Sequence, residues 1–111
     1  MYSKRQNKVS RLIQRELGDI FQKGGQVLSR GTLITVTVVR ISADLSVARV
    51  YLSLFPAENS KELLNVIKEN TKVIRHELAS RIRNQVKKIP DLSFFLDDSL
   101  EYSENISNLL K

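Results

Sequence analysis

Few residues in this 111-residue sequence can make or break bonds. His76 is the single histidine, and it sits beside Glu77 in a helical pattern, away from metal-ligand spacing. General acid–base catalysis also needs a positioned partner, so His76 reads as a surface helix residue. Asp97-Asp98-Ser99 gathers two carboxylates and a hydroxyl after a strand-like run. Such a triplet serves as a turn, with Ser99 as a helix N-cap; a hydrolase built on Asp97 and Asp98 is the catalytic alternative. With no cysteine, the chain has no disulfide framework, thiolate nucleophile or cysteine-based zinc site, which fits a reducing compartment. Gly18, Gly24, Gly25 and Gly31 match neither a dinucleotide fingerprint nor a phosphate loop, and Gly18 reads as a close-packing position. The expectation is a protein that is not an enzyme and uses no cofactor, metal or small-molecule substrate.

The basic residues carry a stronger signal. The chain has a net charge of +6, and that charge is unevenly placed. Residues 1–30 hold seven bases against two acids, and residues 60–90 hold eight against three. Residues 31–59 are balanced, and residues 91–111 hold five acids against one base. Solubility alone does not require two basic blocks. On a helix, Lys4, Lys8, Arg11 and Arg15 fall within a sector of roughly 60°. Lys68, Lys72, Arg75 and Arg83 fall within roughly 80°, extended by Lys87, and Lys88 follows. Solvated helix faces usually alternate signs for mutual support. One-signed faces point to a polyanion, and nucleic acid phosphates suit them because binding releases condensed counterions. Aromatics make up 6% of the chain, and Tyr51, Phe94 and Phe95 fall in strand-like runs. Backbone and shape recognition is therefore favoured over base reading.

Several elements must position these charges. Lys4 to Lys23 is a predicted helix, with Val9, Leu12, Ile13, Leu17, Ile20 and Phe21 at core spacing and Gly24-Gly25 as its stop. Gln26 to Gly31 is a loop carrying Arg30. Leu33 to Ile41 is a strand, with Ile34, Val36 and Val38 on one face and Thr35, Thr37 and Val39 on the other. Val47 to Phe55 is a second strand, joined to the first by the Ser42–Ser46 turn as an antiparallel hairpin. Asn59 and Glu62 resemble a capping box before a helical pattern from Ser60 to about Lys87. That pattern weakens at Glu69-Asn70-Thr71-Lys72, which predicts a kink or break. Leu92 to Leu96 is a third strand, and residues from about 97 to 111 form a short acidic segment with helical spacing. The order α-β-β-α-α-β is an α+β layer of helices on one face of a three-stranded sheet. The length suits a single domain over 1–111 with one core. Apolar runs fall far short of the ~20 residues that cross a bilayer, and the N-terminus lacks a signal-peptide core. No membrane association is expected, and a cytoplasmic location is.

These residues are similar to one family over nearly the full length. Asn7-Lys8-Val9 through Gln14-Arg15-Glu16-Leu17 resembles the opening helix of bacterial ribosome-binding factor A. Ile34-Thr35-Val36-Thr37, then Ser42-Ala43-Asp44-Leu45-Ser46-Val47-Ala48-Arg49-Val50-Tyr51-Leu52-Ser53, resembles its hairpin. Ile74-Arg75-His76-Glu77-Leu78, Arg81, Ile89-Pro90-Asp91-Leu92-Ser93-Phe94 and Asp97-Asp98-Ser99 resemble its second half. The resemblance implies a type II KH-like fold, α-β-β-α-kink-α-β. It also implies a monomeric assembly factor that binds the immature small (30S) subunit, aids 16S rRNA maturation near its 5′ end and supports cold adaptation. The G-x-x-G loop of ordinary KH domains is absent. Where the family usually carries Ala-x-Gly at the kink, this chain has Asn70-Thr71-Lys72, which implies a less sharp kink with added charge. On this reading the phosphate-contacting residues are Lys4, Arg5, Lys8, Arg11 and Arg15 in the first block. In the second they are Lys72, Arg75, Arg81, Arg83, Lys87 and Lys88. A general nucleic-acid-binding KH-like module and a domain binding an acidic protein are the competing readings.

Overall fold

The computed structural model of the chain describes residues 2–23, 32–56 and 58–97. The elements run α1 (Lys4–Lys23), β1 (Leu33–Ile41), β2 (Val47–Phe55), α2 (Ser60–Glu69), α3 (Thr71–Ile82) and β3 (Asp91–Leu96). This is the expected α-β-β-α-kink-α-β order. The Gly24-Gly25 stop, the 26–31 loop, the Asp98-Ser99 half of the turn and the acidic segment lie outside the described residues.

α1 begins with a reciprocal cap. The Ser3 hydroxyl accepts from the Gln6 amide at 3.1 Å, and the Gln6 side-chain oxygen accepts from the Ser3 amide at 2.9 Å. Two otherwise unpaired donors are satisfied together, as a capping box requires. The box expected at Asn59 does not form: Asn59 makes no side-chain cap bond to α2.

β1 and β2 pair antiparallel, β2 and β3 pair parallel, and β2 is central. A parallel partner cannot follow through a tight turn, so α2 and α3 form the crossover. The inner sheet face carries Ala48, Val50, Leu52 and Leu54 of β2, with Leu92 and Phe94 of β3. Over it pack Ile13, Leu17, Ile20 and Phe21 of α1, Leu63 and Ile67 of α2, and Ile74, Leu78 and Ile82 of α3. Phe21 meets Phe94 edge to face at 6.0 Å.

Strict alternation fails in β1. A bulge between Val36 and Val38 shifts the register, so Val38 opposes Tyr51 and Val39 opposes Val50. Ile34, Val36, Val39 and Ile41 are therefore the buried set. An extra residue in one strand reverses which face follows, so Val38 and Val39 exchange their predicted sides. The bulge residue Thr37 donates its hydroxyl proton to the Asp97 carboxylate, with the Tyr51 carbonyl 3.2 Å from the same oxygen, tying β1 to the end of β3.

The expected break between the helices falls on Asn70, at φ −99° and ψ 13°. The Asn70 side chain donates to the Val66 carbonyl at 2.8 Å, and the Thr71 hydroxyl donates to the Lys68 carbonyl at 2.7 Å. Two short polar side chains thus hold the carbonyls that the break frees. α3 stops at Ile82 and not near Lys87. The Ile82 carbonyl accepts from both Gln85 and Val86, and the chain turns back toward the start of β3. A β-carbon on Gly18 would meet nothing within 4 Å, so the close-packing reading of that glycine is corrected.

Candidate nucleic-acid interface

Two basic segments far apart in sequence meet at one groove. Its volume is about 1210 Å³, and α1 forms one wall with Lys4, Arg5, Lys8, Arg11 and Arg15. The turn after α3 supplies Gln85, Lys87 and Lys88, and the hairpin turn supplies Ala43, Asp44 and Leu45. α1 can present these bases because its core residues occupy the other side of the helix. Lys87 and Lys88 reach the groove because the chain leaves α3 early. All seven cations are exposed. Only Arg15 has a carboxylate within 4.0 Å, at 3.8 Å from Glu16, among the described residues. Among the described residues, no aromatic lines the groove.

One acid faces this positive wall. Asp44 sits in the hairpin turn beside Leu45, whose φ of 62° is left-handed. A single Asp44 oxygen, Oδ1, accepts from the Ser42 hydroxyl at 2.8 Å and from the Ser46 hydroxyl and amide at 2.7 and 3.1 Å. The Ser46 and Ser42 hydroxyls, with the Ser46 amide and the Lys88 charge, hold its pKa down to about 2. The carboxylate fixes the turn, consistent with the structural role expected of it, and it also marks one edge of the groove.

Other predicted contact residues have different roles. Arg75 is half-buried; its Nε donates to the Pro90 carbonyl at 3.0 Å and its Nη2 to the Ile89 carbonyl at 2.8 Å. Its Nε also lies 3.6 Å from Asp91. The planar guanidinium fork suits such a staple, and it seats the strand entry. Arg75, expected as a phosphate contact, is placed outside the groove lining. Arg81 binds Asp19 at 2.6 Å, Glu77 at 3.3 Å and Glu16 at 3.4 Å. Its hydrogen bond to Asp19 raises its pKa most, and that bond, with Lys23, lowers the pKa of Asp19. Arg81 is a cross-link between α3 and α1, and it too lies outside the groove lining. Lys72 and Arg83 are exposed but lie outside the groove lining.

Sequence reasoning missed Asn7, Gln85 and the 43–45 turn as groove residues. Helical spacing places Asn7 at the margin of the basic stripe, a usable signal. The hairpin turn gave none, because its proximity to α1 arises only from packing.

The chain matches the family model described as "Ribosome-binding factor A" over residues 5–110. It is 48% identical to the ribosome-binding factor A of Flavobacterium johnsoniae, over 99% of this chain and 85% of that protein. It is 45% identical to that of Christiangramia forsetii, over 96% and 82%. The crystal structure of ribosome-binding factor A from Thermus thermophilus superposes with a TM-score of 0.69 at 25% identity, covering 82% of this chain and 94% of that one. A homology model of the Thermus thermophilus factor, fitted into a cryo-electron microscopy map of its 30S complex, gives 0.61 at 27% identity. It covers 78% of this chain and 89% of that one. The chain belongs to the ribosome-binding factor A family and has an α+β KH-like fold.

Proposed function

We propose that this member of the family is an assembly factor that binds the immature small ribosomal subunit through 16S rRNA and aids maturation of that RNA near its 5′ end. The observation that carries this reading is the convergence of seven exposed cations, from both ends of the described chain, on one groove that no described aromatic lines. A groove of this kind binds phosphates and reads the path of a backbone. The contacts are Lys4, Arg5, Lys8, Arg11, Arg15, Lys87 and Lys88, with Lys72 and Arg83 as peripheral cations. Arg fits where a phosphate can be forked, and Lys acts as a point charge. Binding one of several competing RNA conformations more tightly than the others shifts the population toward it. That needs no catalytic group or cofactor, and it suits a monomer working in the cytoplasm and assisting assembly in the cold. Among the described residues, no helix is long and apolar enough to cross a membrane.

Co-sedimentation with small subunits tests this reading. The Lys8→Glu/Arg11→Glu/Arg15→Glu variant is expected to fold normally and to leave the subunit fraction; unchanged co-sedimentation overturns the assignment. Competition with bulk duplex separates the general nucleic-acid module: equal competition by duplex favours that module over a subunit-specific factor.

A further inference from the structure

The groove contains one group that a surface built only for phosphates does not need. Of the polar side chains that line it, the cations can only donate hydrogen bonds, and Ser3, Asn7 and Gln85 can donate or accept. Among the described lining residues, Asp44 alone can only accept. Its pKa of about 2 keeps it ionised at neutral pH. An anion at the edge of a groove that takes a polyanion repels the phosphates beside it. That repulsion weakens binding unless the ligand brings the carboxylate a donor.

The hairpin turn orients this carboxylate without neutralising it. Oδ1 accepts from the Ser42 hydroxyl at 2.8 Å and from the Ser46 hydroxyl and amide at 2.7 and 3.1 Å. Ser42 is held in turn by the Ser46 and Val47 amides, at 3.1 and 3.0 Å from its hydroxyl oxygen. The second oxygen, Oδ2, meets no described donor. Lys88 acts on Asp44 through its charge, but no described cation lies within 4.0 Å of the carboxylate.

A nucleic acid backbone offers such an oxygen one kind of donor. The ribose 2′-hydroxyl can donate, whereas phosphate oxygens only accept and deoxyribose lacks that hydroxyl. A hydroxyl bonded to a carboxylate is among the strong hydrogen bonds. Base amino groups also donate, but no described aromatic lines the groove to stack a base against it.

We propose that Asp44 is the specificity residue of this groove: its Oδ2 accepts from a ribose 2′-hydroxyl, so that the cationic wall holds RNA and disfavours DNA. The inference rests on the groove binding rRNA, as proposed above. The seven cations supply affinity that RNA and DNA share, and Asp44 supplies the difference. On RNA the new hydrogen bond offsets the repulsion between carboxylate and phosphates; on DNA the repulsion is left over.

Oligouridylate and oligodeoxyuridylate of equal length differ in composition only at the 2′ position. Titration of the full chain at low salt should show oligouridylate binding about tenfold tighter, the size expected of one charge-assisted hydrogen bond. A 2′-fluoro oligomer keeps an RNA-like sugar without the donor, so it should bind as weakly as the deoxy oligomer. Asp44→Asn keeps an oxygen for the Ser42 and Ser46 donors but puts an amide donor where Oδ2 stood. In that variant the preference should collapse toward equal binding, mainly because oligodeoxyuridylate binds more tightly. Equal wild-type affinities, no binding to either oligomer, or 2′-fluoro binding at the level of oligouridylate each overturn the inference without any variant. A preference unchanged by Asp44→Asn also overturns it, since a carboxylate that only shapes the turn acts on both oligomers alike. Small-subunit co-sedimentation of the wild-type chain separates this from the wider reading. If co-sedimentation is kept, those outcomes overturn the role of Asp44 alone; if it is lost, rRNA binding falls and the role of Asp44 with it.

Discussion

The basic face of α1 and the basic residues of α3 look equivalent as helical patterns, yet the fold uses them in opposite ways. Lys4, Arg5, Lys8 and Arg11 stand exposed without a carboxylate partner among the described residues. Arg75 and Arg81 are committed to backbone carbonyls and to an acidic trio. The difference comes from their neighbours. The α1 stripe faces a groove edged by other cations, whereas α3 packs beside Glu16 and Asp19 of α1 and beneath the entry to β3. A one-signed helix face becomes an anion site only if no other element supplies its counter-charge.

Four expectations test this contrast, from the largest effect to the smallest. Lys8→Glu/Arg11→Glu/Arg15→Glu should weaken small-subunit binding about 100-fold or more at moderate salt, given how steeply affinity depends on neutralised phosphates. Thermal melting should hardly move, and a large fall in Tm with intact binding would break the contrast. Lys87→Ala/Lys88→Ala should flatten the plot of log affinity against log salt by roughly 1.5, about 0.7 to 0.9 per lost phosphate contact. Arg81→Gln should do the reverse, costing about 1 kcal/mol of stability, read as a Tm loss of a few degrees, while subunit binding is kept. The smallest effect is on acid stability. Asp19 and Asp44 have folded pKa values below the ordinary carboxylate value of 3.8, and Asp44 lies at about 2. Their contributions are fully present above pH 3.8 and are lost as pH falls toward 2. Asp44→Asn should remove its share of that slope in an acid titration of unfolding, leaving stability at neutral pH nearly flat against pH.

Much of the fold was legible because local and tertiary signals agreed. The core spacing of α1, the β-branched strands and the weak stretch at Asn70 each appear where the pattern placed them. The misreadings share a cause. Ser3–Gln6 and Asn59–Glu62 carry the same type of capping signature, but only the first forms the reciprocal box. In β1, consecutive valines at 38 and 39 hid the bulge, because either could face inward. α3 ends at Ile82 to let β3 lie parallel to β2, a demand no local propensity encodes. Within the candidate site, the α1 wall followed from helical spacing. The fates of Arg75 and Arg81 depended on residues up to 65 positions away, which spacing along one helix cannot reveal.

β1 is an edge strand, and α1, with Tyr2 just before it, occupies several of its polar groups. Gln6 donates to the Ile41 carbonyl, Gln14 donates to those of Val36 and Thr37, and the Tyr2 hydroxyl accepts from the Ile41 amide. An open strand edge is a template for self-association. The same helix that offers the cationic wall therefore also shields this edge of the sheet against pairing with another chain. Damage to the start of α1, at Gln6 or at its cap Ser3 for example, is expected to appear in cells as clumped protein, behind which any loss of the proposed subunit binding would be hidden.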